Sequence, residues 1–347
     1  MASAQRIHVV VLFGGQSAEH DVSCVTAAHV IEALDSSKYD ITAVGITREG
    51  KWVVAQQQAD VLVAEGEPTS ITPIVEQARG DERTVIFPLL HGPLGEDGTI
   101  QGVLELANIA YVGTGVLGSA VAMDKGVAKQ VLHANGIPQP KYVSLREAHV
   151  NDAALLHAAD TLGLPVFVKP ANMGSSVGVS KANTIDEIRS AVEHALTYDE
   201  WVLIEEAVVG REIEVAVLGN VHARASVPGE IIPGNEFYDY ADKYIGDGAQ
   251  LIVPANLTAD EVEAVQHLAI VIFHTLRAEG MARVDFFYEE NGRGFLCNEI
   301  NTIPGFTPIS MYPKLWQASG MSYPALLDEL ITLALDRFSR RRRNTAH

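Results

Sequence analysis

The chain has 347 residues, enough for roughly two or three domains of ordinary size. Hydrophobic residues make up 47%, which excludes disorder over most of its length, and no apolar run reaches the roughly 18 residues that a membrane helix needs. Asp and Glu number 44 against 25 Lys and Arg, for a formal charge of -19, which argues against a general nucleic-acid binder but not against anions held by a few placed cations.

Residues 7–13 (IHVVVLF) form an apolar, β-branched run that stops at Gly14-Gly15. The opening MASAQRIHVVVLFGG reads as a strand entering a loop, not as a signal peptide. The two cysteines, Cys24 and Cys297, are expected to be reduced and buried. A cytoplasmic protein is therefore expected. Helical spacing over 21–34 and a second strand at 40–46 complete a βαβ unit, which implies a parallel sheet with right-handed crossovers. Residues 51–80 read as an excursion with a hairpin or a short helix. A strand at 84–90, a helix near 98–107 and a short strand near 109–112 follow, and the first domain closes near residue 115.

The spacing then predicts a helix over 120–135, ended by Asn135-Gly136, a short strand at 141–144 and a helix near 151–162. A strand at 165–169 leads into a Gly/Ser-rich loop at 172–178, followed by a helix at 184–196 and a strand at 201–206. The polar, aromatic stretch 233–248 reads as an ordered loop or lid. A helix near 258–276, paired strands at 281–288 and 294–300 and a helix near 322–337 finish the chain. The basic run Arg340 to Arg343 reads as a solvated terminus.

Several of these segments carry chemistry. In KPANMGSSVG, Lys169 ends a strand, and the following loop offers backbone N–H groups at Gly174 and Gly178 and the hydroxyls of Ser175 and Ser176. It suits phosphate, although it is not a P-loop, and a plain flexible turn is the competing reading. Arg283 and Asp285 lie two apart on one expected strand, and Glu299 and Asn301 two apart on the next, so each pair shares a face. Asp285, Glu299 and Asn301 offer oxygen ligands only, which suits Mg2+; a polar network around Arg283 is the alternative. Cys297 is expected on the other face from Glu299. In GGQSAEHDVS, Glu19 could bind an ammonium group, or Ser17, Glu19 or Asp21 could cap a helix. His91, in HGPLGEDG, either touches substrate or holds its loop. Lys243, in the 233–248 stretch, could meet a phosphate, with surface packing as the competing reading.

Taken together and in order, LFGGQSAEHDVS, HGPLGEDGTIQG, MDKGVAK, VFVKPANMGSSVGV, GREIEVAVLGN, FYDYADKY, ARVDFF and LCNEINTIPGFTPISMYP resemble the D-alanine–D-alanine ligase family of ATP-grasp enzymes, over about residues 7 to 335. The resemblance implies a three-domain ATP-grasp fold of α/β and α+β parts with an N-terminal parallel-sheet βαβ domain. The divisions expected are 1–115, 116–207 and 208–347. It implies ATP-dependent joining of two D-alanine molecules through an acyl phosphate, two Mg2+ ions (or Mn2+), a homodimer and a bacterial cytoplasm.

Residue by residue, the resemblance makes Lys125 and Lys169 phosphate-binding lysines and puts Ser175 and Ser176 in the loop over the phosphates. Glu205, Glu206, Ala207 and Val208 match the adenine segment, and Glu212 the ribose ligand. Asp285, Glu299 and Asn301 match the metal ligands. Glu19 matches the residue holding the first substrate's ammonium, with His91 nearby. Arg283 and the backbone of Gly305 match an oxyanion-stabilising pair, Ser310 the grip on the second carboxylate, and Lys243 and Tyr244 the lid. Tyr244 also implies a peptide-forming and not an ester-forming enzyme. Residues 51–80 match the family weakly.

Overall fold

The computed structural model describes residues 6–58, 61–70, 72, 83–234 and 250–341. Strand β1 (Ile7–Gly14) pairs in parallel with β2 (Tyr39–Ile46) and β5 (Thr84–Pro88), and β5 pairs in parallel with β6 (Ala110–Tyr111). The excursion after β2 is a hairpin, β3 (Trp52–Gln58) and β4 (Val61–Thr69), that adds an antiparallel edge to this otherwise parallel sheet. Helices α1 (His20–Ala33) and α2 (Thr99–Leu106) supply the crossovers. Strand β1 is buried on both faces, which is why its sequence is a continuous apolar run and does not alternate.

The helix expected over 120–135 is two helices, α3 (Val116–Met123) and α4 (Lys125–Ala134). Asp124 breaks them: its backbone is extended, and its side chain accepts a hydrogen bond from Val127 N as the N-cap of α4. Without that break Lys125 would sit inside a helix instead of at the first turn of one.

A second sheet is antiparallel throughout, in the order β7 (Tyr142–Arg146), β10 (Trp201–Glu206), β8 (Val166–Pro170), β9 (Ser180–Ala182). Val166, Val168, Val202 and Ile204 turn one face toward α5 (Asp152–Leu162) and α6 (Ile185–Ala195) and form one core with them. Lys169 and Glu205 therefore stand on the opposite face, in accord with the two-residue repeat of a strand.

The third sheet was only half legible. Beyond β15 (Gly280–Glu289) and β16 (Gly294–Asn301) it contains β11 (Arg211–Gly219), β12 (Arg224–Ala225), β13 (Gly229–Ile232) and β14 (Gln250–Ile252), again antiparallel. One face, carrying Val215, Val217, Val284, Phe286, Cys297 and Ile300, packs with α7 (Ala259–Thr275) and with Ala122, Ala128 and Leu132 of α3 and α4. The other face carries Arg283, Asp285 and Glu214. Helix α7 starts with a capping box, Thr258 and Glu261 exchanging hydrogen bonds with each other's backbone.

The last two helices are α8 (Met311–Ala318), which has no counterpart in the sequence reading, and α9 (Tyr323–Arg341). Helix α9 ties the last part of the chain to the edge of the first sheet. Its buried Arg337 donates to the carbonyls of Gly113 at 2.6 Å and Tyr111 at 3.0 Å and lies 4.0 Å over the Tyr111 ring. Arg340 and Arg341 reach Glu279 and Glu105, so this part of the basic run is engaged and not merely solvated. Arg342 and Arg343 lie outside the described residues.

Candidate active site

Of the residues singled out from sequence, the charged faces of the second and third sheets hold Lys169, Glu205, Arg283, Asp285, Glu299 and Asn301. The cross-strand register sets Arg283 opposite Asn301 and Asp285 opposite both Glu299 and Glu214, so all five share one face. Arg283 donates two hydrogen bonds of 2.7 Å to Asp285 and lies 3.1 Å from Glu214. Burial alone would lower the guanidinium's pKa, but Asp285, Glu214 and Glu299 outweigh it and hold it well above the ordinary arginine value.

Strict alternation would put Cys297 and Glu299 on the same face. A register shift prevents this: Asp285 pairs with Glu299 and Phe286 with Cys297, leaving Asn298 as the extra residue of a bulge. The bulge turns Cys297 into the apolar core, where burial pushes its thiol up to about 12, and keeps Glu299 on the charged face. The expectation that Cys297 faces away from Glu299 holds, but for this reason and not for periodicity. Cys24 is half-buried, and burial raises its thiol to about 11.

Opposite, Glu205 of β10 stands between two ammonium groups. Lys129 Nζ is 2.7 Å from Oε1, and Lys169 Nζ makes a close ion pair with Oε2. Burial works against the charged carboxylate, yet the two lysines hold its pKa below the usual carboxylate range. Lys125, at the first turn of α4, donates a 2.6 Å hydrogen bond to the Met173 carbonyl. Its pKa is lowered by burial and the nearby Lys169, against the pull of Glu299, Glu205 and Glu96. Lys125 thus ties the two charged faces to the Gly/Ser loop.

That loop is strained. Ser175 and Ser176 have φ of 49° and 60°, a left-handed conformation that costs side-chain-bearing residues of the order of 1 kcal/mol or more each. A turn containing left-handed residues can point backbone N–H groups into a common concavity, as an anion cradle requires. The loop closes onto the first sheet, because the Ser175 hydroxyl donates to Glu19 Oε1. Glu19 begins α1 but makes no capping bond with its side chain; Ser17 Oγ instead accepts from the Glu19 N–H at 2.9 Å. A Cβ on Gly174 or on Gly92 would come within 2.9 or 3.0 Å of Glu19 Oε2, so a larger residue at either loop would crowd that carboxylate.

His91 is buried, its Nδ1 3.1 Å from the Ile303 carbonyl and 3.7 Å from Glu96. Burial opposes its charging, but Glu96 and Glu19 raise its pKa above the ordinary histidine value. Asn301 accepts from the Ile303 N–H at 3.1 Å. Ser310 precedes α8 and accepts from the Thr307 N–H at 3.1 Å, and a Cβ on Gly305 would stand 3.1 Å from its Oγ. Glu206, which is followed in the chain by Ala207 and Val208, accepts from Arg293 and from Lys141 N. Glu212 lies on β11 opposite Phe287 and Ile231. Lys243 and Tyr244, with most of the 233–248 stretch, lie outside the described residues.

Three members escaped the sequence reading: Lys129, Glu214 and Glu96. The first two left a signal. Lys129 follows Lys125 by four residues, which places both on one face of a helix. Glu214 follows Glu212 by two within a strand, which aligns it with that residue. Glu96 left none, because a loop has no period.

Asp285, Glu299 and Asn301 form a set of hard oxygen donors, with Glu214 beside them, and this chemistry fits a magnesium-type ion. Among the described residues no group of three or more His, Cys, Asp and Glu side chains encloses a point by itself. An ion here would take part of its shell from phosphate or water, as Mg2+ commonly does.

Two antiparallel sheets that present lysines on one side and carboxylates on the other, with a backbone-lined loop between them, define an ATP-grasp ligase. The D-ala D-ala ligase N-terminus profile matches residues 8–114, and the D-ala D-ala ligase C-terminus profile matches residues 131–332. A D-alanine–D-alanine ligase of Shouchella clausii is 45% identical over 96% of this chain and 95% of its own length. One from Geobacillus thermodenitrificans is 46% identical over 96% of each chain. Among solved structures, a D-alanine-D-alanine ligase from Coxiella burnetii superposes with a TM-score of 0.83 at 38% identity, over 98% of this chain and 97% of that one. The VanG D-Ala:D-Ser ligase from Enterococcus faecalis has the same TM-score at 34% identity, over 95% of this chain and 100% of that one. The chain belongs to the D-alanine–D-alanine ligase family.

Proposed function

We propose that the protein joins two D-alanine molecules into D-alanyl-D-alanine with ATP, releasing ADP and phosphate, for peptidoglycan precursors. The observation that carries this reading is the pairing of the two charged faces. Lys125 and Lys169 stand where polyphosphate would lie, and Asp285, Glu299 and Asn301 stand opposite. A carboxylate is a poor acyl donor because it would have to expel an oxide-like group. Attack of the first D-alanine carboxylate on the γ-phosphate makes that oxygen part of a phosphate leaving group. The second D-alanine's neutral amine then attacks the acyl carbon, a C–N bond forms, and phosphate departs with the C–O electron pair.

In this reading Glu19 holds the first substrate's ammonium, and His91 lines the same pocket. Arg283 and the Gly305 N–H stabilise the oxyanion of the tetrahedral intermediate. Ser310 grips the second carboxylate. Ser175 and Ser176 orient phosphate and substrate, and neither becomes acylated. Glu205, Glu206, Ala207 and Val208 meet adenine, and Glu212 meets ribose. Two Mg2+ ions, replaceable by Mn2+, would be held by Asp285, Glu299 and Asn301 and would supply charge neutralisation on the phosphates. Lys243 and Tyr244 belong to the lid that shields the acyl phosphate from water.

The divisions 1–115, 116–207 and 208–347 remain our reading of the domains, with the qualification that α3 and α4 bury their apolar residues in the third sheet's core. A homodimer in a bacterial cytoplasm completes the proposal; no helix among the described residues is long and apolar enough to cross a membrane.

The test is phosphate release with ATP and Mg2+, run with D-alanine, with L-alanine, and with D-alanine plus D-lactate or D-serine, products being identified by mass. Release that requires D-alanine and matches the dipeptide one to one is expected. Mixed products carrying D-serine or D-lactate as the main species would move the second site to a different substrate. ATP binding without release would remove the substrate assignment altogether.

A further inference from the structure

Lys129 is the most completely buried lysine among the described residues, 2% exposed, and nothing in the reaction outlined above uses it. Its ammonium lies 2.7 Å from Glu205 Oε1 and 5.6 Å over the ring of Tyr142. The pair is electrostatic more than directional, since neither Lys129 Nζ nor Glu205 Oε1 completes a well-angled hydrogen bond. Glu205 Oε1 therefore retains acceptor capacity. Lys169, the other cation on Glu205, ends a strand at the mouth of the Gly/Ser loop, and in the reading above its charge is shared with the phosphates. A buried carboxylate left with no counter-charge would take up a proton. Lys129 is buried beside Glu205, so its charge stays with that carboxylate.

We propose that Lys129 is a positioning residue for nucleotide selection: it keeps Glu205 ionised and fixed as the acceptor for the exocyclic amine of adenine while Lys169 serves the phosphates. The inference rests on the reading of Glu205 as an adenine contact and names what makes that contact selective. A carboxylate accepts from an amino group at the purine six position and repels the oxo group of inosine triphosphate. A protonated carboxyl donates, and so loses the distinction. The charged and titratable groups facing Glu205 are Lys129 on α4, Lys169 on β8 and Tyr142 on β7, with Lys125 and Cys297 further out. The tyrosine and the thiol both stay neutral through the physiological range, since burial and the Glu205 charge push them up. Burial favours the neutral carboxyl and the lysine charges favour the ion, so the lysines decide the outcome.

The experiment measures ATP and inosine triphosphate affinity on the full chain by calorimetry with Mg2+, from about pH 5.5 to about pH 8.5, for the parent, Lys129→Met, Lys129→Gln and Glu205→Gln. The parent is expected to prefer ATP by about 10- to 100-fold with a ratio that does not change with pH, the span expected of one hydrogen bond to a charged group. In Lys129→Met the carboxylate pKa rises, so ATP affinity falls as pH falls, and the ratio collapses toward unity at the acid end. Lys129→Gln removes the charge with a polar side chain of similar length and so separates loss of charge from a folding defect peculiar to methionine; the same pH dependence is expected of it. Flat, parent-like ratios in a folded Lys129 variant would overturn the proposal. So would a parent whose preference itself fades toward pH 5.5, a result that needs no variant. If Glu205→Gln loses the preference while the Lys129 variants keep it, Lys129 is dismissed and the adenine reading survives. If Glu205→Gln keeps it, the adenine reading itself fails.

Discussion

The two buried charge clusters are opposites. On the second sheet one carboxylate, Glu205, sits between two ammonium groups, those of Lys129 and Lys169. On the third, one guanidinium, that of Arg283, sits between Asp285 and Glu214, with Glu299 paired across from Asp285. The first cluster has a surplus of positive charge and the second a surplus of negative charge. Burying either surplus is unfavourable on its own, and in each case the sign says what is missing. Anionic phosphate would complement the first and divalent cations the second, and a metal–nucleotide complex would satisfy both at once. The internal ion pairs keep the clusters ordered without it.

The comparison can be broken most completely from the negative side. Removing divalent cations with a chelator should take dipeptide formation to background, with recovery on adding Mg2+ or Mn2+; turnover that persists in chelator would show that the carboxylate face serves no metal. Next in size is Arg283→Ala, which should lower kcat by about 10^2- to 10^3-fold, the loss typical of one oxyanion-stabilising donor. Arg283→Lys should recover little, because a single ammonium cannot reproduce the two-pronged grip on Asp285. Steady-state rates at saturating ATP separate this from a binding defect.

On the positive side, Lys169→Met should raise KM for ATP by about 10- to 100-fold with a smaller change in kcat, the share of one charge-assisted contact. A kcat loss at unchanged KM would place Lys169 on the transferring phosphate and not on bound nucleotide. The sharpest check of complementarity is thermal. ATP with Mg2+ at about 100 times Kd should stabilise the protein by about 2.7 kcal/mol. ATP or Mg2+ alone should give a fraction of the Tm rise.

The smallest effect belongs to a surface pair that copies these clusters without their burial. Arg293 holds the Glu289 carboxylate down to about 2, helped by a backbone hydrogen bond. A carboxylate depressed in the folded state adds stability above its unfolded pKa and loses it as pH falls toward the folded value. Glu289→Gln should thus cost less than about 1 kcal/mol at neutral pH, because solvent screens the pair. In urea titrations the gap from the parent should narrow between about pH 5 and about pH 3. A gap that stays constant with pH would assign the cost to packing.

Much of this was legible beforehand. Alternation placed Arg283 with Asp285 and Glu299 with Asn301 on shared faces, and the register pairs them as those spacings require. The parallel core of β1, β2 and β5 follows from their apolar runs, whereas the break between α3 and α4 was not read and traces to one capping side chain, Asp124. Strands β11 to β14 and helix α8 were not read: β12 to β14 span two to four residues and α8 eight, too few periods to stand out from loops, and the nine-residue β11 is a buried central strand without clean alternation.

Residue type and spacing alone marked groups that could do chemistry here: oxygen ligands in pairs, a lysine at the end of a strand, and the Gly/Ser-rich loop that follows it. Tertiary structure decided which of them meet. Lys129 finds Glu205, Glu214 finds Arg283, and the Asn298 bulge turns Cys297 away from Glu299. Periodicity is a property of one element and reports its faces. A contact between α4 and β10, or a one-residue slip between paired strands, depends on how separate elements pack, and no local pattern encodes it.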